Sequence, residues 1–289
     1  MPLSPLVLAC LAATWLIWGS TYLAIKFALV SFPPFYQMGS RFLVAGVLLF
    51  AWLKFRGRAL PTLIEWRNAL IIGALLLVSG MGFTAYSEQT VASGLIVAYI
   101  AIIPIIVTAM NLPFGIKPSR LEFCGMLIGV AGVLMLVRGE AFTASPAGLA
   151  AITIACVSWS LGSVLSPRLP LARGAMGFAS EMLCGSVLLL ALSAALGEQP
   201  EWPPQPIALG SWIYLIVFGS LLAFNAYMIL LGRVSAALAS SYTLVNPVIA
   251  LALGIWLGGE AVTAFEWGAA AVITAGVVLL VIGRRPAPR

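Results

Sequence analysis

Long apolar runs alternate with short polar segments along the chain, and ten of the runs are long enough to cross a membrane. A spanning helix needs about 20 mostly apolar residues, with about 17 to 25 tolerated. The predicted spans cover residues 6–29, 35–53, 68–86, 91–110, 121–137, 146–165, 175–196, 209–231, 236–257 and 265–282. The pattern therefore predicts an all-α polytopic membrane protein with short loops.

The second half of the chain repeats the first. Leu95, Tyr99, Pro104, Gly115, Glu122, Gly132 and Gly139 recur about 143 to 144 residues later as Leu238, Tyr242, Pro247, Gly258, Glu266, Gly276 and Gly283. A fainter match extends to the earlier helices, where Ser40 and Leu43 correspond to Ser180 and Leu183. We predict two five-helix units, 1–142 and 143–289. Because five is odd, the second unit enters the membrane from the opposite face, so the repeat is inverted.

Basic residues indicate how the spans are oriented. With a cytoplasmic amino terminus, the inner loops hold Lys54, Arg56, Arg58, Arg67, Lys117, Arg120, Arg168, Arg173, Arg233, Arg284, Arg285 and Arg289, against Lys26 and Arg138 outside. Cytoplasmic loops carry such an excess of Lys and Arg. The first run lacks a basic leader and exceeds signal-peptide length, so we read it as a span. The sequence predicts a multi-pass protein with both termini in the cytoplasm.

Composition removes several functional classes. With 62% hydrophobic and 8% charged residues, the chain has too little polar surface for a soluble body. Glutamate is its only acid and it has no histidine, which excludes His-based triads and His metal sites. The four cysteines are scattered without CxxC spacing, and the basic residues form no stripe with aromatics. We expect no catalytic residue, no metal, no cofactor and no nucleic-acid partner.

Two prolines mark equivalent places in the repeat. Pro104 and Pro247 lie within the fourth and ninth spans, and each frees the carbonyl four residues earlier. Inside a bilayer such carbonyls must face a neighbour or a wet cavity. Paired broken helices near mid-membrane are typical of inverted-repeat transporters. A kink that serves only helix packing is the alternative.

Three charged residues fall in or beside predicted spans. Arg41 and Glu181 occupy equivalent positions, and Glu88 lies where the third and fourth spans meet. A charge inside a span costs about 2.5 to 3.5 kcal/mol, so each needs a partner or water. Gating, coupling or a substrate contact is one interpretation. The other is that Arg41 and Glu181 reach the interface from near their helix ends and that Glu88 is an ordinary loop glutamate.

A set of polar and aromatic residues could line a central cavity. We predict substrate contacts for Trp18, Tyr22, Tyr99, Trp159, Asn225, Tyr227, Tyr242 and Asn246. Such a lining would suit an amphipathic solute with a flat apolar part and a few hydrogen-bonding groups. Aromatic residues also form belts at membrane interfaces, which is the competing explanation.

Two further features have structural explanations. Glu122 and Glu266 each stand near a helix start, where the helix dipole favours a carboxylate by about 0.3 to 1 kcal/mol. Small residues such as Gly125, Gly129 and Gly276 permit close helix approach, so the fifth and tenth spans read as packing or homodimer elements.

Several short motifs resemble one family. They are Trp18-Gly19-Ser20-Thr21-Tyr22 followed by Lys26, Arg41-Phe42-Leu43, Val245-Asn246-Pro247-Val248 and Leu257-Gly258-Gly259-Glu260. Together they resemble the drug/metabolite transporter superfamily, and within it the EamA-type exporters of the bacterial inner membrane. The resemblance implies ten helices in two inverted repeats, with a cavity walled mainly by helices 1, 3, 4, 6, 8 and 9. It also implies export of amino acids, related metabolites or amphipathic drugs.

The fourth and ninth spans contain no Lys or Arg, which disfavours a phosphorylated substrate. We expect a secondary transporter that exports small amphipathic solutes by alternating access. A passive facilitator or channel for small neutral or zwitterionic solutes is the alternative, although no charged ring or carbonyl filter motif is visible.

Overall fold

The computed structural model describes residues 3–91, 93–138, 144–258 and 263–283. Within these ranges the chain forms ten helical rods. They are α1 (Pro5–Ala28), α2 (Pro34–Phe55), α3 (Leu63–Ser87), α4 (Ser93–Ala101 and Ile103–Asn111), α5 (Arg120–Leu136), α6 (Pro146–Leu165), α7 (Ala175–Ala195), α8 (Pro206–Leu231), α9 (Ala236–Ala239 and Tyr242–Gly258) and α10 (Ala264–Gly283). All except the shorter α4 and α5 have the length and apolar composition of a membrane span. The predicted polytopic all-α fold is confirmed.

A few predicted features lie outside the described residues. They are Gly139 of the repeat, Gly259 and Glu260 of the ninth-helix motif, and Arg284, Arg285 and Arg289 of the basic carboxyl terminus.

The glutamates of the repeat cap helices. Glu122 accepts a hydrogen bond from the Ser119 backbone N–H at 2.9 Å, and the Ser119 hydroxyl accepts one from the Glu122 N–H at 3.1 Å. Thr263 and Glu266 make the same reciprocal pair at the start of α10, at 2.7 and 3.3 Å. These capping boxes satisfy amide groups that a helix start leaves without partners. The two glutamates therefore have a structural role.

The most extensive helix pairs join equivalent helices of the two repeats, α2 with α7 and α5 with α10. Glycines bring α5 and α10 into backbone contact. A Cβ on Gly276 would lie 2.6 Å from the Gly129 nitrogen, and one on Gly125 would lie 2.7 Å from the Gly276 oxygen. These small residues thus pack within one chain. Homodimer formation stays a prediction.

The third helix of each repeat contains a π-helical segment, Ala74–Gly82 in α3 and Leu215–Phe224 in α8. Such segments are uncommon and occur frequently at functional sites. Each widens its helix where it passes the centre of the molecule. The pair is a second sign of the repeat, and the apolar pattern did not predict it.

The fourth helix of each repeat is interrupted, but at different places. In α4 the break falls at Ile102, two residues before Pro104. In α9 the helix runs through Pro247, and the interruption comes earlier, at Ser240 and Ser241. The prediction of a break at Pro247 therefore needs correction. A proline removes one intrahelical hydrogen bond, and in membrane helices that loss is tolerated without ending the helix.

Candidate functional site

A central cavity lies between the two repeats. Residues of seven helices border it, and they are Trp18, Thr21, Tyr22 and Ile25 of α1, Met38 and Arg41 of α2, Gly80, Met81 and Thr84 of α3, Ile100 and Ile103 of α4, Ala155, Cys156 and Trp159 of α6, Gly219 of α8, and Tyr242 of α9. The resemblance predicted six of these helices, and α2 is the addition. The peripheral pair α5 and α10 does not contribute to this lining.

Four aromatic rings close one end of the cavity, and we call them the aromatic floor: Trp18, Trp159, Tyr227 and Tyr242. The Trp18 ring lies 4.5 Å from Tyr242, 5.2 Å from Tyr227 and 5.6 Å from Trp159, centroid to centroid. Trp159 stacks on Tyr227 at 5.2 Å with an interplanar angle of 30°. Because α1, α6, α8 and α9 each supply one ring, the floor couples both repeats.

Hydrogen bonds hold the floor from behind. The Tyr227 and Ser163 hydroxyls lie 2.6 Å apart, and the Trp15 indole N–H donates to the Ser241 hydroxyl at 3.0 Å. The Trp18 and Trp159 indole nitrogens are buried without a hydrogen-bond partner of normal geometry among the described residues. The Trp159 indole nevertheless interacts with the Tyr227 and Tyr242 hydroxyls, so it belongs to the internal contacts of the floor.

Arg41 also borders the cavity, toward the end that lies away from the aromatic floor. It is 1% exposed, and among the described residues its Nε and Nη1 atoms have no hydrogen-bond partner. Its Nη2 lies 3.6 Å from the Met81 sulfur, and its guanidinium carbon lies 4.7 Å from the Phe42 ring centroid. The side chain is therefore directed into the protein and does not extend to the membrane interface.

Other polar groups gather at the same end. Glu88, at the end of α3, is half-buried and lies within electrostatic range of both Arg41 and the exposed Lys26. Its Oε1 atom has no hydrogen-bond partner among the described residues. Asn246 approaches the Tyr22 hydroxyl, yet neither of its amide atoms makes a hydrogen bond of normal geometry within the described part of the chain. Arg41 borders the cavity itself, whereas Glu88 and Asn246 are not among its lining residues.

Four predicted substrate residues do not border the cavity, and Asn246 is one of them. The Asn225 amide donates to the Leu221 carbonyl at 2.6 Å, one turn earlier on α8. Tyr227 belongs to the aromatic floor but is fully buried behind Trp18 and Trp159. Tyr99 is half-buried and packs against the hydrophobic core. Their predicted substrate contacts stay predictions.

Glu181 borders a second pocket, together with Phe178 of α7 and Met228 of α8. Its side chain is 0% exposed, and among the described residues neither carboxylate oxygen has a hydrogen-bond partner. The pocket lies where α6 ends and α7 begins. Arg41, its equivalent in the first repeat, lies near the opposite face, where α2 begins. Inversion has placed the two charges in pockets that face opposite sides.

A side-chain hydrogen bond connects the two repeats at the end of the bundle where α4 and α6 end. Arg168 follows α6, and its Nη2 donates to the Asn111 side chain of α4 at 2.6 Å. The guanidinium carbon also lies 4.2 Å from the Phe114 ring centroid, and Nη1 donates to the Val164 carbonyl. This contact joins the two repeats beneath the aromatic floor.

Sequence reasoning missed several lining residues, notably Gly80 and Gly219 in the π-helical segments. A Cβ on Gly80 would lie 2.8 Å from the Trp159 ring. Cys156, one turn before Trp159, also borders the cavity. The presence of these glycines in apolar helices could be seen in the sequence. It did not indicate which face of each helix borders the cavity.

Two inverted five-helix repeats around a buried, aromatic-floored cavity define an inverted-repeat membrane transporter. The EamA-like transporter family matches this chain twice, over residues 3–138 and 146–282. The chain belongs to the EamA-like transporter family, as its motifs predicted.

Known proteins support that assignment. The chain is 43% identical over 275 residues to the "uncharacterized inner membrane transporter YedA" of Escherichia coli (strain K12), covering 95% of this chain and 90% of YedA. It is 28% identical over 254 residues to the "uncharacterized transporter YoaV" of Bacillus subtilis (strain 168), covering 84% and 85%. A solved structure, 22% identical, shares the fold with a TM-score of 0.78 over 96% of both chains. The protein is a multi-pass inner-membrane transporter.

Proposed function

We propose that the protein is a secondary transporter that exports small amphipathic metabolites, such as amino acids or related compounds, or drugs by alternating access. The observation that carries this proposal is the central cavity between the repeats. Its aromatic floor offers flat apolar surface, and its unpartnered polar groups offer hydrogen bonds. Such a combination fits a solute with an apolar body and a polar end.

The excess of basic residues on the face where α2 ends and α3 begins supports a cytoplasmic location for that face and for both termini. The face where α1 ends and α2 begins is then periplasmic. In this orientation Arg41 and Glu88 lie toward the periplasm. The aromatic floor and the Arg168–Asn111 contact close the cytoplasmic side.

Alternating access follows from the inverted repeat. Equivalent helices of the two repeats have opposite directions, so exchanging their conformations would open the cavity to the other side. The second pocket, bordered by Glu181, would then enlarge toward the cytoplasm. The bilayer surrounds the bundle, and the solute is the expected partner.

Glu181 is our candidate for coupling to protons. A buried carboxylate that accepts no hydrogen bond is costly when ionised, and intramembrane ionisable residues mark ion pathways by default. No charged side chain forms an ion pair with it among the described residues, and Cys184 is the titratable group that interacts with it. Measuring transport with and without a pH gradient tests this role.

The proposal is tested by reconstitution in liposomes with labelled amino acids and amphipathic cations. We expect flux of at least one solute class that saturates with concentration and shows counterflow, because a carrier binds its solute in every cycle. Empty liposomes provide the control. Unsaturable flux without counterflow would contradict the carrier and support the channel or passive facilitator.

A further inference from the structure

An unpaired guanidinium borders the central cavity. Arg41 is 1% exposed, and two of its three nitrogens have no hydrogen-bond partner among the described residues. The Met81 sulfur, 3.6 Å from Nη2, is a weak acceptor. Gln37, one turn earlier on the same face of α2, is also fully buried, and neither amide atom has a partner in the described part of the chain. Both side chains lack the hydrogen bonds that buried polar groups normally have.

The protein itself does not neutralise this charge by direct contact. Glu88 is within electrostatic range of Arg41, but no carboxylate of the described residues lies within the 4.0 Å of an ion pair. The exposed Lys26 adds positive potential at this end, whereas the Glu198 carboxylate accepts hydrogen bonds from the Phe35 and Tyr36 backbone N–H groups at the start of α2. A buried charge without a partner is strongly unfavourable, so an external anion would be held firmly there.

The shape of the guanidinium selects the anion. Its planar fork of donors matches a carboxylate or a phosphate, each of which it binds through two parallel hydrogen bonds, so charge decides between the two anions. A dianionic phosphate would meet the nearby negative charge of Glu88 as well as the cations Arg41 and Lys26, and the repulsion from Glu88 acts on both of its charges. A singly charged carboxylate therefore fits this end of the cavity better than a phosphate.

We propose that Arg41 is the carboxylate-binding residue of the central cavity, so that the solutes bound there carry a carboxylate beside an apolar, preferably aromatic, body. The inference rests on the proposed function and narrows it. The carboxylate pairs with Arg41, and the apolar body packs on Trp18, Trp159 and Tyr242. Amphipathic cations without a carboxylate bind poorly.

Three probes with the same phenyl body test this: 3-phenylpropionate, its neutral amide 3-phenylpropanamide, and phenethylamine. Binding to the purified full-length protein is measured from the shift of its thermal unfolding midpoint as each probe is titrated. We expect the wild type to bind 3-phenylpropionate more tightly than the other two. Arg41→Gln should weaken the binding of 3-phenylpropionate about 10- to 100-fold, because hydrogen bonds to charged groups contribute about 1.5 to 3 kcal/mol.

Further variants separate binding from structure. Arg41→Lys keeps the charge without the fork and should give an intermediate loss. Glu88→Gln removes the nearby negative charge, so the affinity for 3-phenylpropionate should rise a few-fold. Arg58→Gln removes an exposed charge beyond α2 and should change nothing. The affinities of the three probes are compared on the same variant. A change in the stability of that variant therefore affects all three measurements equally.

Equal affinity for the three probes in the wild type, or no binding of any of them, would overturn the proposal. So would an Arg41→Gln variant that weakens all three equally. If Glu88→Gln weakens 3-phenylpropionate as Arg41→Gln does, the two residues form a gating pair instead. Liposome flux is read separately: probe binding without saturable flux would contradict the proposed function while leaving the carboxylate site intact.

Discussion

We expect Gly276→Leu to abolish stable folding or to lower the thermal unfolding midpoint sharply, while Gly268→Leu on the same helix has little effect. The difference follows from the space beside each Cα. A Cβ on Gly276 would lie 2.6 Å from the Gly129 nitrogen and 2.8 Å from the Gly125 oxygen, whereas one on Gly268 meets nothing within 4 Å. Backbone atoms cannot rotate away as side chains do.

Overpacking typically costs about 1 to 3 kcal/mol and occasionally more. Here we expect the upper end or beyond, because α5 and α10 form the most extensive helix pair and must separate to admit the new side chain. Thermal unfolding and size-exclusion profiles of the two purified variants provide the measurement. Equal stability of the two variants would show that this helix crossing is looser than described.

The second large effect is expected at the aromatic floor. Trp18→Ala removes the ring that contacts the other three members. Solute binding and saturable flux should then fall about tenfold, because an aromatic contact contributes about 0.5 to 1.5 kcal/mol beyond the area that it buries. Trp18→Phe keeps an aromatic ring and should retain more activity. Trp52→Ala is the matched control, because that tryptophan is 57% exposed on α2.

Removal of a buried tryptophan also destabilises the fold, typically by about 3 to 5 kcal/mol. Flux is therefore normalised to the amount of folded protein, measured by size exclusion on the same preparation. Folded Trp18→Ala protein that transports with unchanged saturation and maximal rate would remove the aromatic floor from the site.

The sequence predicted most of the helices because their signals are local. Apolar length located the spans, and Glu122 was expected near the start of α5, where the structure places it. Pro104 correctly indicated a break in α4, since a proline acts on its own helix. These features depend on residues within one or two helical turns, so they can be identified from the sequence alone.

The faces of α8 were less predictable. The π-helical segment Leu215–Phe224 precedes Asn225 and Tyr227, and each residue that a π turn inserts rotates the following side chains by about 100°. The prediction of substrate contacts for both residues used their polar or aromatic character and could not include this rotation. In the structure the Asn225 amide bonds its own helix, and Tyr227 is buried behind Trp18.

The charged residues show the same limit. Two interpretations of Arg41 and Glu181 fitted their distance from the helix ends. In the structure α2 and α7 lie against each other and both charges are buried, while their roles stay predictions. Long-range packing of this kind leaves no local pattern in the sequence.

The central claim is that the two repeats move against each other around the cavity. Asn111 and Arg168 join them on the proposed cytoplasmic side, with 2.6 Å between the side-chain atoms. We would replace both by cysteine in a chain whose four native cysteines are alanine, and add a reducible bifunctional thiol crosslinker. The single-cysteine variants, treated identically, are the controls.

Liposome flux before crosslinking, after crosslinking and after reduction is the measurement. Alternating access predicts that the crosslinked double variant stops transporting and that reduction restores its flux, while the single variants stay active throughout. Unchanged flux through the fully crosslinked protein would contradict the account, because solute would then cross without the two repeats separating on that side.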